Sequence, residues 1–309
     1  MIGTSAGIAR LARWTEMVAG FIGPPPPRRG AKLIEAQHVA FPGFSATYNS
    51  IWQTKPRTVT TIDGEALSKA LHIANRNEAV KAAVDLYVNP LIAAASRVED
   101  PPTFWFVVIP EEVYELGRPL SKIPVLERVQ GAVRITKDEA LRLEDQHTLF
   151  GLEEAEAEVY KYTTHFRRQL KARLLNDKIV TQIVRETTLA PMDFLKSNGQ
   201  PRRRVEDPAT IAWKLTTGAY YKHGGRPWQL ADVRPGVCYV GLAYKRREST
   251  SDDRFAVCAA QMFLSSGEGV VFRGALGPWY RSDSKQFHLD EPAACSLVAM
   301  VIKQSCKRS

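Results

Sequence analysis

Arg167 and Lys171 stand four residues apart, so on a helix the two cations share one face. Like charges at that spacing repel by about 0.2–0.5 kcal/mol unless an anion joins them. Gln182 follows on the next strand-like run, and Lys222 stands at the lip of the glycine pair Gly224-Gly225. A parallel α/β arrangement carries strand ends and helix termini to one rim where ligands collect, which would set three cations and a neutral amide around one point. Such a set suits an oxyanion. The helix taken alone has a plainer explanation, because Glu153, Glu154, Glu156 and Glu158 open it and basic residues close it, as the helix dipole favours.

The charge balance of the whole chain points the same way. The 309 residues carry a net charge of +9. Between Lys161 and Arg226 there are 14 Lys and Arg against 5 Asp and Glu, so this one block holds the entire excess. A confined basic block implies either a surface that faces a polyanion, nucleic acid being the commonest, or a solvated basic face. The four cysteines, Cys238, Cys258, Cys295 and Cys306, form no CxxC pair, and three lie in apolar runs, which describes reduced thiols rather than zinc ligands or a disulfide framework. No run reaches the roughly 18 apolar residues of a membrane span, and the opening MIGTSAGIARLARW lacks the apolar block of a signal peptide. A cytoplasmic protein with no membrane partner is the default expectation.

The elements that must position these residues read as α/β. Residues 1–60 are poorly patterned, with GPPPPRRG at 23–30 as a spacer. Residues 77–100 have helical period, ended or interrupted near Pro90, and TFWFVVIP at 103–110 is a buried strand followed by a short helix, EEVYELG. A long helix from about Leu152 to Leu175 then leads into a strand over 178–189. After a boundary near 205–209, ATIAWKLTTGAYYKHGG is a helix stopped by its glycines, and GVCYVGLAY, FAVCAAQMFL and GVVFRGALG are hairpin strands. A helix begins in the last residues and stops, so the second domain reads as cut short.

The blocks FPGF, TFWFVVIPEEVYELGRPLS, FRRQLKARLLNDKIVTQIVRETTL, PATIAWKLTTGAYYKHGGRPWQL and GVCYVGLAY resemble the MID domain and the start of the PIWI domain of short prokaryotic Argonautes, over about residues 40–303. The resemblance implies a Rossmann-like parallel-sheet MID domain over 61–207, after the poorly patterned 1–60, and the first part of an RNase H-like PIWI domain over 208–309. In that family a basic MID pocket holds the 5′ phosphate of a guide strand with Tyr or His, Lys, Gln and Lys. Those positions fall on Arg167, Lys171, Gln182 and Lys222. The first departs from the pattern, but a guanidinium both stacks on a base and grips phosphate. His165 is the rival for that role, or an additional guide contact.

The resemblance also places Ala243 where slicing members carry the first aspartate of a two-metal carboxylate cluster, so it implies a protein without nuclease activity. Asp252, Asp253, Glu268 and Asp290 read as solvated turn residues. The implied partners are a guide RNA or DNA, its complementary target, and an APAZ-containing effector with a sirtuin-like, TIR-like or nuclease domain, acting in defence against plasmids or phage. No cofactor is called for beyond one Mg²⁺ bridging the guide phosphate. Two further readings stand beside this one: an active guide-dependent endonuclease with an unusual metal site, and a non-functional fragment of a truncated gene.

Overall fold

The computed structural model describes residues 1–25, 39–145, 156–228, 234, 237–246, 255–264 and 269–306. The chain divides into two compact units, Met1–Gly225 and Arg226–Ser309.

The first unit is built on four parallel strands, β1 (Ile2–Gly3), β2 (Thr60–Thr61), β3 (Trp105–Ile109) and β4 (Thr181–Arg185), in the order β2-β1-β3-β4. The α-helices among the described residues of this unit include α1 (Ser5–Met17), α2 (Phe44–Tyr48), α3 (Gly64–Leu71), α4 (Arg76–Ser96), α5 (Glu111–Leu116), α6 (Lys137–Asp145), α7 (Phe166–Arg173), α8 (Glu186–Leu189) and α9 (Pro208–Lys222). The run 103–110 became a strand for the physical reason its sequence gives: side chains alternate, and both faces are covered. Trp105, Val107 and Ile109 enter a core with α3, α4 and α7, whereas Val108 and Val184 join a second core with Leu11, Trp14, Phe44, Tyr48 and Ala212 from α1, α2 and α9. The fold class is α/β.

Residues 1–25 and 39–60 hold more order than their pattern suggests, while most of the expected spacer at 23–30 lies outside the described residues. β1 lies between β2 and β3, with Ile2 paired to both Thr60 and Val107, and α1 follows from its Thr4 cap. A two-residue strand is too short to show a period, so only its neighbours define it. Gly7 lets α1 approach the sheet closely, since a Cβ there would meet Glu186 Oε1 at 2.7 Å and Val108 at 2.9 Å.

Three expected boundaries move. α4 continues through Pro90, because the buried stripe of Ala83, Val84, Tyr87, Val88 and Leu91 spans the proline and outweighs the lost backbone hydrogen bond. The expected helix over 152–175 is broken: its described part is a 3₁₀ turn at Glu158–Lys161, an irregular Tyr162–His165 and only then α7. Tertiary hydrogen bonds hold the break, with Asn75 Nδ2 donating to Tyr160 Oη (2.7 Å), Tyr160 Oη donating to Ile135 O (2.7 Å) and Phe166 N donating to Gly117 O (2.9 Å). The expected strand over 178–189 is likewise shorter, and its last residues form the turn of α8.

The second unit is an antiparallel meander of β5 (Cys238–Arg246), β6 (Ala256–Leu264) and β7 (Gly269–Gly277), then a small hairpin of β8 (Tyr280–Arg281) and β9 (Gln286–Phe287). The final residues do more than begin a helix. α10 (Glu291–Cys306) runs 16 residues and buries Leu297 and Val301 against Cys258, Ala260, Met262 and Trp279. Among the described residues no helix is long and apolar enough to cross a membrane.

Candidate functional site

α7 takes its orientation from Phe166, Leu170 and Leu174, which recur every four residues and lie buried in the core with α4. Tyr87 meets Phe166 edge-on, with ring centroids 5.4 Å apart. This packing leaves Arg167 and Lys171 exposed on the outer side of the helix, one turn apart.

Gln182 is the second residue of β4, the edge strand, and pairs in register with Phe106. It is half-buried. On the other side of the strand stands α9, started by the Asp207 side chain, which accepts from Thr210 N (2.9 Å), and stopped by Gly224 at φ 96°. Ile211, Ala212, Thr216 and Ala219 bury one side of α9 and carry its last residue, Lys222, to the strand. There Lys222 Nζ donates to Gln182 Oε1. Gly218, one turn earlier, faces the same oxygen, where a Cβ would make ordinary contact at 3.4 Å.

Arg167, Lys171, Gln182 and Lys222 are therefore neighbours, with Gln182 on the edge strand β4. Burial holds the Lys222 ammonium below the ordinary lysine range, and the nearby charges of Lys171 and Arg167 lower it further. Lys171 is lowered in the same way, by burial and then by Arg167. No carboxylate of a described residue relieves them, whereas Arg10, Arg173, Arg185 and Arg203 each have an ion pair. Two partly desolvated lysines and the exposed Arg167, crowded beside an amide, form a site whose energy falls when an anion enters. The helix dipoles do not help, because Lys171 and Lys222 stand at the carboxyl ends of their helices. The side-chain charges must supply the attraction. For a divalent cation the donor set is wrong: its one side-chain oxygen, Gln182 Oε1, already accepts from Lys222, and the set contains no carboxylate, so these residues do not fit a protein-held Mg²⁺.

His165 precedes α7 and makes no contact with Gln182 or Lys222 among the described residues. Burial, then Arg168, pushes its pKa below the usual histidine value, with Arg118 and Arg167 adding to the effect, so it adds no fourth charge at neutral pH. Its Nδ1 is buried without a described partner, as are both polar side-chain atoms of Gln169, which is 1% exposed. Gln169 stands one turn after His165 on the inner side of α7. Its position four residues from a histidine, on a helix whose other inward residues are apolar, was the one sequence signal for it.

The cluster lies near the amino end of β4, which reverses the usual placement of ligands at the carboxyl ends of parallel strands. The carboxyl rim is filled by the protein's own ion pairs. Glu186 accepts from Thr4 Oγ1 (2.9 Å) and pairs with Arg10 (3.1 Å), and Glu111 pairs with Arg185 (2.9 Å) and accepts from Thr187 Oγ1 (2.6 Å).

In the second unit Ala243 lies on β5, exposed and opposite Ala259 of β6. Asp290 is a helix cap, its Oδ1 accepting from Ala293 N at 2.8 Å. Asp252, Asp253 and Glu268 lie outside the described residues. Among the described residues no three His, Cys, Asp or Glu side chains gather as a metal site requires. Comparison of the chain with protein-family models and with curated proteins found no match, so the reading of the site rests on its own geometry and on the sequence resemblance.

Proposed function

We propose that the first unit binds the 5′-terminal phosphate of a guide nucleic-acid strand, and that the chain is a catalytically inactive, Argonaute-like subunit of MID and partial PIWI character. The observation that carries this reading is the meeting of Arg167, Lys171 and Lys222 with Gln182, without an acid among them. A terminal phosphate carries about −1.5 to −2 charges at pH 7 and three acceptor oxygens. An internal phosphodiester carries one charge, so a crowded trio of cations discriminates in favour of the strand end. Arg167 offers a planar fork to two phosphate oxygens, the two lysines act as point charges, and Gln182 donates through its remaining amide group.

On this reading Ala243 stands where a metal-binding aspartate would be needed, and a methyl group cannot replace it. The protein recognises rather than cuts, and an APAZ-containing effector supplies the defensive chemistry once a target pairs with the guide. The test compares a 5′-phosphorylated with a 5′-hydroxyl single strand of one sequence in a direct binding measurement. The phosphorylated strand binds at least about tenfold more tightly if the cluster holds the phosphate, one charge-assisted hydrogen bond being worth about 1.5–3 kcal/mol. Equal affinities overturn the proposal.

A further inference from the structure

The run CYVGLAY at 238–244 holds no charge and no proline, and its apolar residues occupy both alternating sets of the strand. Such a strand is normally covered on both faces and paired on both edges. β5 has neither. Among the described residues it pairs only with β6, at one edge of the three-stranded sheet. Register sorts its side chains: Val240 stands opposite Met262 and Leu242 opposite Ala260, and those partners lie buried in the core that α10 shares. α10 packs on β6 and β7, so Val240 and Leu242 share its face of the sheet yet stay exposed, Leu242 at 52%. Tyr239 and its register partner Phe263 are exposed on the other face.

The pattern of the strand itself names what fits beside it. Its charge begins only at Lys245, near the carboxyl end. A second β5 lying parallel and in register would set like charges together. Lying antiparallel about Leu242, it keeps them at opposite ends: Lys245 of one copy faces Tyr239 of the other, a cation beside an aromatic ring, while Tyr244 faces Val240 and Leu242 faces its own counterpart. The small Gly241 and Ala243 then stand opposite each other, so no bulky side chain interrupts that face. A two-fold axis uses one patch twice, and length, apolar faces and charge all match by symmetry. An acidic strand from an unrelated chain would answer Lys245 alone.

We propose that two copies of this chain pair through β5, antiparallel about Leu242, so that their three-stranded sheets become one continuous sheet. The bare Val240 and Leu242 of each copy then cover one another on the α10 face, and the outer backbone groups of each β5 gain hydrogen-bond partners. The proposal is independent of the phosphate site, whose residues all belong to the first unit.

The experiment measures the mass of the full chain by sedimentation velocity at micromolar concentration. Wild type sediments as a dimer, and Leu242→Lys as a monomer, because two ammonium groups meet at the axis. Leu242 is already half in water, so the single chain accommodates the lysine; an unchanged circular dichroism spectrum checks that it does. Leu242→Glu alone is monomeric for the same reason. An equimolar mixture of the Leu242→Lys and Leu242→Glu chains recovers the dimer through opposite charges, a result that neither misfolding nor general stickiness produces. Val271→Lys, at an exposed residue of β7, leaves the dimer intact. Oxidation of Leu242→Cys cross-links two chains above the wild-type level, whereas Val240→Cys does not, since antiparallel pairing about Leu242 separates the two copies of residue 240. A monomeric wild type overturns the proposal. So does a dimer that survives Leu242→Lys, that is lost in Val271→Lys, or that the mixed chains fail to restore. Cross-linking through Val240→Cys in place of Leu242→Cys overturns the register.

Discussion

Lys222, at the end of α9, donates a hydrogen bond to Oε1 of Gln182 on the edge strand β4. The lysine thereby engages the amide oxygen, which leaves Nε2 as the group with which Gln182 can donate. Replacing this amide by an acid tests the electrostatic account directly. Gln182→Glu places a carboxylate among Arg167, Lys171 and Lys222, so thermal stability rises while preference for a 5′-phosphorylated strand disappears. A variant that keeps the preference shows that the cations act elsewhere.

Lys171→Ala separates a specific pocket from a generally basic surface. Affinity for a phosphorylated strand falls about tenfold or more, and affinity for the 5′-hydroxyl strand barely changes. Lys137→Ala, at an exposed lysine of α6 outside the cluster, affects both strands equally and slightly. Parallel losses for both strands in Lys171→Ala would count against the pocket.

Burial lowers Lys171 and Lys222 below the ordinary lysine pKa, with Arg167 adding to the effect at Lys171 and Lys171 and Arg167 at Lys222. In the empty protein their charged forms therefore oppose folding. That penalty is fully present below the lowered values, and it is relieved as pH rises from them toward the unfolded value of about 10.4. A bound phosphate raises both values again. Phosphate-dependent affinity thus weakens with rising pH earlier than ordinary lysines would allow, and binding near the lowered values takes up protons. Calorimetry in two buffers of different ionisation enthalpy measures the uptake. Lys171→Arg, which does not titrate, flattens the dependence.

Glu186 is 5% exposed and ties Thr4 and Arg10 to the end of β4. Glu186→Gln keeps the shape but removes the charge facing Arg10, which retains Asp193 at 2.9 Å. The expected cost is about 1–3 kcal/mol in urea unfolding, with strand binding unaffected because the cluster lies near the other end of the strand. A loss of phosphate preference would show that the two ends of β4 are coupled.

Metal-dependent cleavage of a guide-paired target is expected to be absent, and Ala243→Asp is expected not to create it. Two divalent ions held close together need several bridging carboxylates, and one restored acid opposite Ala259 provides a single ligand. Cutting by the wild-type chain that depends on Asp252 and Asp253 would establish the endonuclease reading.

What could be read from the sequence follows a physical division. β3 and α9 were legible because each carries its own signal, a continuous apolar run closed by Pro110 and a helical stripe closed by Gly224. β1 was not, because Ile2 and Gly3 are a strand only through partners at Thr60 and Val107. The break before α7 was hidden for the same reason, being held by Asn75 and by Gly117, far away in sequence. The residue types and spacing of Arg167, Lys171, Gln182 and Lys222 showed what could be gathered. Which end of the strands would gather it depends on chain direction and on Glu186 filling the opposite rim, and neither is written in local spacing.

β4 is an edge strand of the sheet among the described residues, and natural sheets commonly guard such edges with charge. Arg167, Lys171 and Lys222 stand as that guard, since two copies approaching edge to edge would bring six like charges together. A ligand that neutralises the trio removes the guard at the moment it occupies the edge. The repulsion that would make the empty site receptive to an anion thus also opposes edge-to-edge pairing of β4 with a second copy, and a bound anion would weaken that opposition.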